Sequence, residues 1–129
     1  MNKYEALIAE YEDEVTAEDY DTQGSDGFYC DSYVLIKKKM LTCRKTCVFA
    51  EELGHHFTSA GDILDLDDIN SLKQEHKARV WAYHKLLPIE NVYAAAMQGY
   101  TESWQMAEYF DLDEEFVMDA LKHYGLLDV

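Results

Sequence analysis

The chain has 129 residues, of which 26 are acidic and 11 are basic, for a formal net charge of -15. Its length and its hydrophobic content of 48% predict one folded domain over residues 1–129, built around one core. A surface this acidic repels nucleic acid phosphates and anionic membranes and attracts a basic protein, although solubility alone is the other explanation of the charge.

The first part of the chain alternates between a helical pattern and a polar one. Residues 2–15 carry one apolar stripe, formed by Tyr4, Leu7, Ile8, Tyr11 and Val15. This stripe predicts an amphipathic helix with an acidic outer face. Residues 16–27 include the polar stretch DYDTQGSDG and are predicted to form a loop. The next stretch, GFYCDSYVLIKK, predicts two antiparallel strands about a turn at Asp31 and Ser32.

Residues 48–58, VFAEELGHHFT, are the most informative part of the sequence. They have the spacing of the zinc-binding H-E-x-x-H helix, with Glu51 in place of the first histidine. Residues four apart share a helical face, so Glu51 and His55 can reach one ion, while Glu52 beside them can accept a proton from water. The alternative frame, Glu52 with His56, puts a leucine in the position of the base and predicts no chemistry.

This motif helix is predicted to span residues 41–58. Its core-facing residues are predicted to be Cys43, Cys47, Ala50, Gly54 and Phe57. Cys43 and Cys47 can in principle supply thiolate ligands beside Glu51, but their packing as small apolar residues is favoured. With Cys30 they make three cysteines without a C-x-x-C pair or an apolar leader, which predicts a reduced, cytoplasmic protein.

A third metal ligand is expected downstream, since two ligands do not make a stable site. The segment QEHKARVWAYHKLLP predicts a helix that stops at Pro88, with an apolar face of Leu72, Ala78, Trp81, Ala82 and Leu86. Glu75 lies beside that face and is the candidate ligand; His76 and Lys77 are adjacent alternatives, of which only His76 ligates readily.

The acidic connector at residues 61–70 lacks the pattern of a calcium loop and predicts a solvated loop and helix cap.

Residues 89–129 are helical in pattern and are predicted to form a C-terminal subregion. Its last two helices have the length of a helix-turn-helix, but the second begins with three acids and contains one basic side chain, Lys122, so no DNA contact is predicted. Six residues are predicted to lie in the core, and any that are exposed would form a docking surface for a partner: Trp104, Met106, Tyr109, Phe110, Phe116 and Leu121.

The segments EELGHHFTSAGDI and QEHKARVWAYHKLL resemble the ImmA/IrrE family of zinc metallopeptidases, and the resemblance covers residues 28–124. It is closest to small versions carried by prophages and mobile elements, which cleave a helix-turn-helix repressor. The resemblance implies Glu52 as general base. It implies Glu51, His55 and Glu75 as the metal ligands. It also implies an α+β fold, mostly helical, with a small antiparallel sheet packed on the motif helix.

Glu51 in place of histidine changes the charge of the expected site. Two carboxylates and a neutral imidazole cancel the charge of a divalent ion, which makes it a weaker Lewis acid, and more oxygen ligands shift preference from zinc toward manganese or another hard ion. We therefore expect slow or highly specific cleavage of a basic, DNA-binding repressor. The alternatives are a pseudo-peptidase that inactivates the repressor by binding, and a structural interaction module that uses the acidic surface.

Overall fold

The computed structural model describes residues 1–21, 23–58 and 68–127, with residues 68–70 described by their backbone. In these ranges it contains the following helices and strands: α1 (Lys3–Glu10), β1 (Thr16–Tyr20), β2 (Gly27–Cys30), β3 (Tyr33–Lys37), α2 (Thr42–Thr58), α3 (Asp68–Leu86), α4 (Ile89–Met97), α5 (Ser103–Phe110) and α6 (Glu114–His123). The predicted α+β class, mostly helical, is confirmed. The acidic connector predicted at residues 61–70 lies outside the described residues, except where the backbone of 68–70 begins α3.

The predicted hairpin is present, and its turn is the one that was expected. β2 and β3 pair antiparallel, with Gly27 opposite Ile36. The two turn residues, Asp31 and Ser32, have φ angles of 48° and 66°. Positive φ at both central residues is the backbone of a type I′ turn, whose twist matches that of two antiparallel strands. The turn therefore places β2 against β3 in a single register.

The prediction of a loop over residues 16–27 is wrong at Thr16–Tyr20, which forms β1 and pairs with β3 in parallel. The sheet has the order β1-β3-β2 and is therefore mixed, where an antiparallel sheet was expected. Most side chains of β1 are exposed, so the strand carries no apolar alternation to predict it. It is held by its pairing and by Asp19, whose carboxylate accepts hydrogen bonds from the Tyr4 hydroxyl at 2.9 Å and the Lys45 ammonium at 2.7 Å.

The motif helix α2 lies at the centre of the core, in contact with α1, α3, β2 and β3. It spans almost the predicted range, and its largest fully buried side chains are Phe49 and Leu53. Phe57, predicted to face the core, is 40% exposed, and its ring stacks on Trp81 with centroids 5.2 Å apart. Leu72, predicted to be on the apolar face of α3, is 71% exposed, because it precedes the part of α3 that crosses α2.

Gly54 lies where α2 and α3 cross. A Cβ atom at this position would lie 2.2 Å from the carbonyl oxygen of Ala78 and 2.8 Å from its Cα. Only a residue without a side chain lets the backbone of α3 come this close. The crossing places His55, the next residue on α2, opposite Glu75, which is three residues before Ala78 on α3.

The C-terminal residues form three helices, as the pattern predicted. Met106, Phe116 and Leu121 are buried, as predicted. The prediction is wrong for Trp104 and Tyr109, which are 52% and 47% exposed. An eight-residue helix such as α5 has a narrow buried face, and Met106 with Ala107 already covers it. In the part of the chain that the structure describes, no helix has the length and the apolar character needed to cross a membrane.

We predict that Gly54→Ala lowers the free energy of unfolding by about 1–3 kcal/mol, because the added methyl group forces α2 and α3 apart. The loss occurs although alanine is favoured over glycine inside a helix by roughly 1 kcal/mol. Urea unfolding followed by circular dichroism measures it. Ala94→Gly, at an exposed position of α4, is the control and should lose only the helix propensity. A more stable Gly54→Ala variant would contradict the close crossing.

Candidate active site

A pocket of about 300 Å³ lies between β2, α2 and α3. It is lined by Gly27, Phe28, Tyr29, Glu52, His55, Ser71, Gln74 and Glu75. Three of the predicted site residues, Glu52, His55 and Glu75, are therefore in one pocket. The fourth, Glu51, does not line it. The alternatives to Glu75 do not line it either: His76 and Lys77 border a separate groove between α3 and α6.

His55 and Glu75 are in direct contact across the helix crossing. The Nε2 atom of His55 lies 3.0 Å from the Oε2 atom of Glu75, and the two side chains are 20% and 44% exposed. These are the atoms with which imidazole and carboxylate bind metals. Two ligands of one tetrahedral zinc ion lie about 3.4 Å apart when each bond is about 2.1 Å long. The observed separation is that of a directly paired imidazole and carboxylate, and an increase of about 0.4 Å would give the separation of two ligands on one ion.

Glu52 is half-buried, and its side chain packs under the start of β2. A Cβ atom at Gly27 would lie 3.3 Å from Cγ of Glu52 and 2.5 Å from Cγ1 of Val48, so the absence of a side chain at position 27 makes room for the glutamate. Burial, followed by the negative charges of Glu75 and Glu51, raises the pKa of Glu52 to about 7. A carboxylate with a pKa in this range is suited to accept and return a proton near neutral pH.

Glu51 has different surroundings from the other three predicted site residues. Burial raises its pKa, while the positive charges of Arg79 and Arg44 lower it. Arg44 itself is held by Asp26 at 3.0 Å and Asp113 at 3.3 Å. Among the residues that the structure describes, no group of three or more His, Cys, Asp or Glu side chains is arranged to hold a metal ion. His55 and Glu75 are thus brought into contact. Glu51 does not line the pocket with them, although the negative charge of Glu75 is among the effects that raise its pKa.

The sequence analysis missed a chain of hydrogen bonds behind the pocket. The hydroxyl of Tyr29 on β2 lies 2.8 Å from Nδ1 of His56, and Nε2 of His56 lies 3.3 Å from the carboxylate of Glu14. His56 can therefore accept from the tyrosine and donate to the glutamate. This chain fixes β2 against α2. No spacing in the sequence indicates it, because its three members lie on three different segments.

The IrrE N-terminal-like domain family, Peptidase_M78, matches residues 9–122. The chain belongs to this family. It is a metallopeptidase family, so membership gives the chain a metallopeptidase-type role and implies a protein substrate and a divalent metal cofactor. The resemblance predicted from the EELGHH and QEHKARVWA segments is confirmed. No similar curated protein and no similar solved structure was found.

The donor set of the pocket fits a divalent cation. An imidazole nitrogen and a carboxylate oxygen meet at its edge, and a second carboxylate, that of Glu52, lies beside them. Within the described residues, no lysine or arginine lines the pocket to balance these acids. Nitrogen and oxygen donors of this kind suit zinc and, with more oxygen, manganese.

We predict that Glu52→Gln stabilises the metal-free protein at pH 8 and leaves its stability at pH 4.5 nearly unchanged. The folded-state pKa of Glu52, about 7, lies above its ordinary value of 4.5, so the native protein binds the proton more tightly than the unfolded chain does. The resulting penalty develops as pH rises from 4.5 to 7 and is then constant.

The measurement is the melting temperature with chelator present, and each kcal/mol recovered should raise it by about 3–5 °C for a chain of this length. Glu12→Gln, at an exposed acid, is the control and should change nothing at either pH. An equal gain for Glu52→Gln at both pH values would mean that the carboxylate is not destabilised in the folded state.

Proposed function

We propose that this chain is a metal-dependent endopeptidase that cleaves a partner helix-turn-helix transcriptional repressor of a prophage or mobile element. The observation that carries the proposal is the contact at 3.0 Å between His55 and Glu75 at the edge of the pocket that also contains Glu52. The identity of the partner is supported by the resemblance to small prophage-borne members of the family. The net charge of -15, which attracts a basic DNA-binding protein, also supports it.

In this proposal His55 and Glu75 hold the metal ion, which is zinc or another divalent ion such as manganese. Glu51 is the proposed third ligand, because it lies one helical turn before His55 on the same face of α2. When bound, the ion would supply Lewis acidity toward the scissile carbonyl and toward the attacking water. Glu52 accepts the proton of that water and returns it to the nitrogen of the leaving amine.

The substrate is proposed to bind along β2. This strand is an edge of the sheet, and three of its residues, Gly27, Phe28 and Tyr29, line the pocket. An edge strand has backbone N–H and C=O groups that can pair with an extended peptide. Because Gly27 packs directly on Glu52, a peptide paired with β2 would have its backbone next to the base. The Tyr29–His56–Glu14 chain keeps that strand in place.

The separation of Glu51 from the pocket favours one alternative, a pseudo-peptidase that inactivates the repressor by binding alone. If Glu51 stays with Arg44 and Arg79, the ion has two protein ligands and is held weakly. The substrate groove along β2 does not depend on Glu51. Binding of the repressor would then survive without cleavage.

We predict about one zinc or manganese ion per chain in untagged protein purified without chelator, and its loss in His55→Ala and Glu75→Ala. Elemental analysis after exposure to each metal measures this. His84→Ala, at an exposed histidine outside the pocket, is the control. Glu51→His should raise zinc affinity by about tenfold or more, since it restores the second imidazole. Equal metal content in His55→Ala and the parent would show that His55 is not a metal ligand and would contradict the proposed site.

We predict that the metal-loaded protein cleaves its cognate repressor and that Glu52→Gln slows cleavage by about 10²–10⁴-fold, the usual worth of a general base. Gel analysis of the products measures cleavage of the repressor, and a reporter gene measures derepression. Glu12→Gln is the matched control in both assays. Derepression that survives Glu52→Gln would favour the pseudo-peptidase. Derepression that also survives His55→Ala would favour an interaction module that uses the acidic surface.

A further inference from the structure

We propose that a groove on α5, separate from the catalytic pocket, binds a lysine- or arginine-rich segment of a partner protein. The groove has a volume of about 380 Å³ and is lined by Tyr100, Trp104, Gln105, Glu108 and Tyr109. We call it the aromatic groove. It shares no lining residue with the pocket that contains Glu52. The three aromatic rings of the groove and the carboxylate of Glu108 thus lie together on a surface outside the catalytic pocket.

The three rings of the groove are partly open to solvent, and two of them are stacked. Tyr100 and Tyr109 stack with their centroids 4.6 Å apart and their planes 21° apart. Trp104 is 52% exposed, Tyr109 47% and Tyr100 36%. Leaving so much aromatic area in water forgoes the free energy of burying it. Three such rings beside one another offer an apolar surface on which another molecule can pack.

The groove is formed before any partner binds. The side-chain oxygen of Gln105 accepts hydrogen bonds from the backbone N–H groups of Thr101 and Glu102, both at 3.0 Å, and so fixes the start of α5. Asp111, in the left-handed conformation with φ of 55°, ends the helix two residues after Tyr109. Trp104 and Tyr109 therefore lie on a short helix whose backbone does not have to be ordered when a ligand binds.

The charge of the groove and of the helices that carry it favours a cationic ligand, because Glu108 lines the groove and no lysine or arginine of the described residues does. Residues 89–127 contain one lysine, Lys122, and eight acids: Glu90, Glu102, Glu108, Asp111, Asp113, Glu114, Glu115 and Asp119. A second copy of the chain would bring the same acids face to face, and nucleic acids and anionic membranes are repelled in the same way. A basic peptide is attracted both to the acids and to the faces of the rings.

Lysines of this chain already bind its aromatic rings elsewhere. The three lysine–ring contacts in the described residues are Lys3 over Phe110 at 5.9 Å, Lys45 over Tyr4 at 5.7 Å and Lys85 over Tyr11 at 5.1 Å. None of them involves Tyr100, Trp104 or Tyr109. In the described residues, no lysine or arginine lies over the three groove rings. The neighbouring ring of Phe110, in contrast, has Lys3 over it.

The partner segment is expected to belong to the basic repressor, and this identification alone rests on the proposed function. A groove that holds the repressor by a basic segment raises the effective concentration of its cleavable segment at β2. Removing a groove ring should then raise KM for the repressor and leave kcat unchanged, because the groove touches no reacting group.

The test uses the full chain carrying Glu52→Gln, so that binding is measured without cleavage. The probe is a fluorescein-labelled peptide of about four Arg-Ala-Ser repeats, titrated by anisotropy and compared with its Gln-Ala-Ser counterpart. Trp104→Ala should weaken binding by about 5–30-fold and Glu108→Gln by about 2–5-fold. Tyr33→Ala, at a 55% exposed ring of β3, and Glu12→Gln are the matched controls and should stay within about twofold of the parent.

Equal affinities for Trp104→Ala and Tyr33→Ala would overturn the proposal, since attraction by net charge would then explain the binding. A dimer in sedimentation that Trp104→Ala dissociates would also overturn it, because a second copy would occupy the groove. Peptide binding at the groove together with no repressor cleavage by the parent would keep the groove and reject the proposed function. Repressor cleavage by the parent without peptide binding at the groove would reject the groove and keep the proposed function.

Discussion

The crossing of α2 and α3 at Gly54 is the constraint on which the rest of the structure depends. The backbone of Ala78 occupies the space that a side chain at position 54 would need, so the two helices approach more closely than ordinary side chains allow. That approach brings His55 and Glu75 from separate helices into contact at 3.0 Å. A side chain at position 54 would push the two helices apart and with them these two donors. The glycine within the motif is thus as important for the geometry of the proposed site as the histidine is for its proposed chemistry.

The same crossing gathers acids that are unfavourable without a ligand. Glu52 and Glu75 share one pocket, Glu51 lies near enough to raise the pKa of Glu52, and no basic side chain of the described residues lines the pocket. Folding alone does not favour such an arrangement, since each half-buried carboxylate loses hydration and repels the others. A divalent ion would remove that repulsion. The positive charges of Arg79 and Arg44 favour the charged form of Glu51, so the occupancy of the proposed metal site and the position of Glu51 would be coupled.

The parts of the fold that were predictable are those that local periodicity specifies. The helical repeat predicted α2 and α3. The four-residue spacing of the motif placed His55 on α2, and the helical pattern that ends at Pro88 placed Glu75 on α3, the helix that crosses it. β1 was not predictable, because its side chains are mostly exposed and its pairing with β3 is a tertiary contact. The exposure of Trp104 and Tyr109 was missed for a related reason. An aromatic residue in a helix indicates burial only when a neighbouring element is there to cover it.

The proposed oxygen-rich ligand set and the proposed aromatic groove are consistent with each other. With Glu51 as a ligand, as proposed, the metal ion would be a weaker Lewis acid than in a two-histidine site, so rapid cleavage of arbitrary peptides would not be expected. A weak catalyst that acts on one partner can compensate by holding that partner for longer near the base. A peptide paired with the open edge of β2, as proposed, would be held by its backbone without regard to sequence, so selectivity would have to come from elsewhere. In this chain the acidic, ring-lined surface of α5 has the chemistry to supply that selectivity for a basic protein.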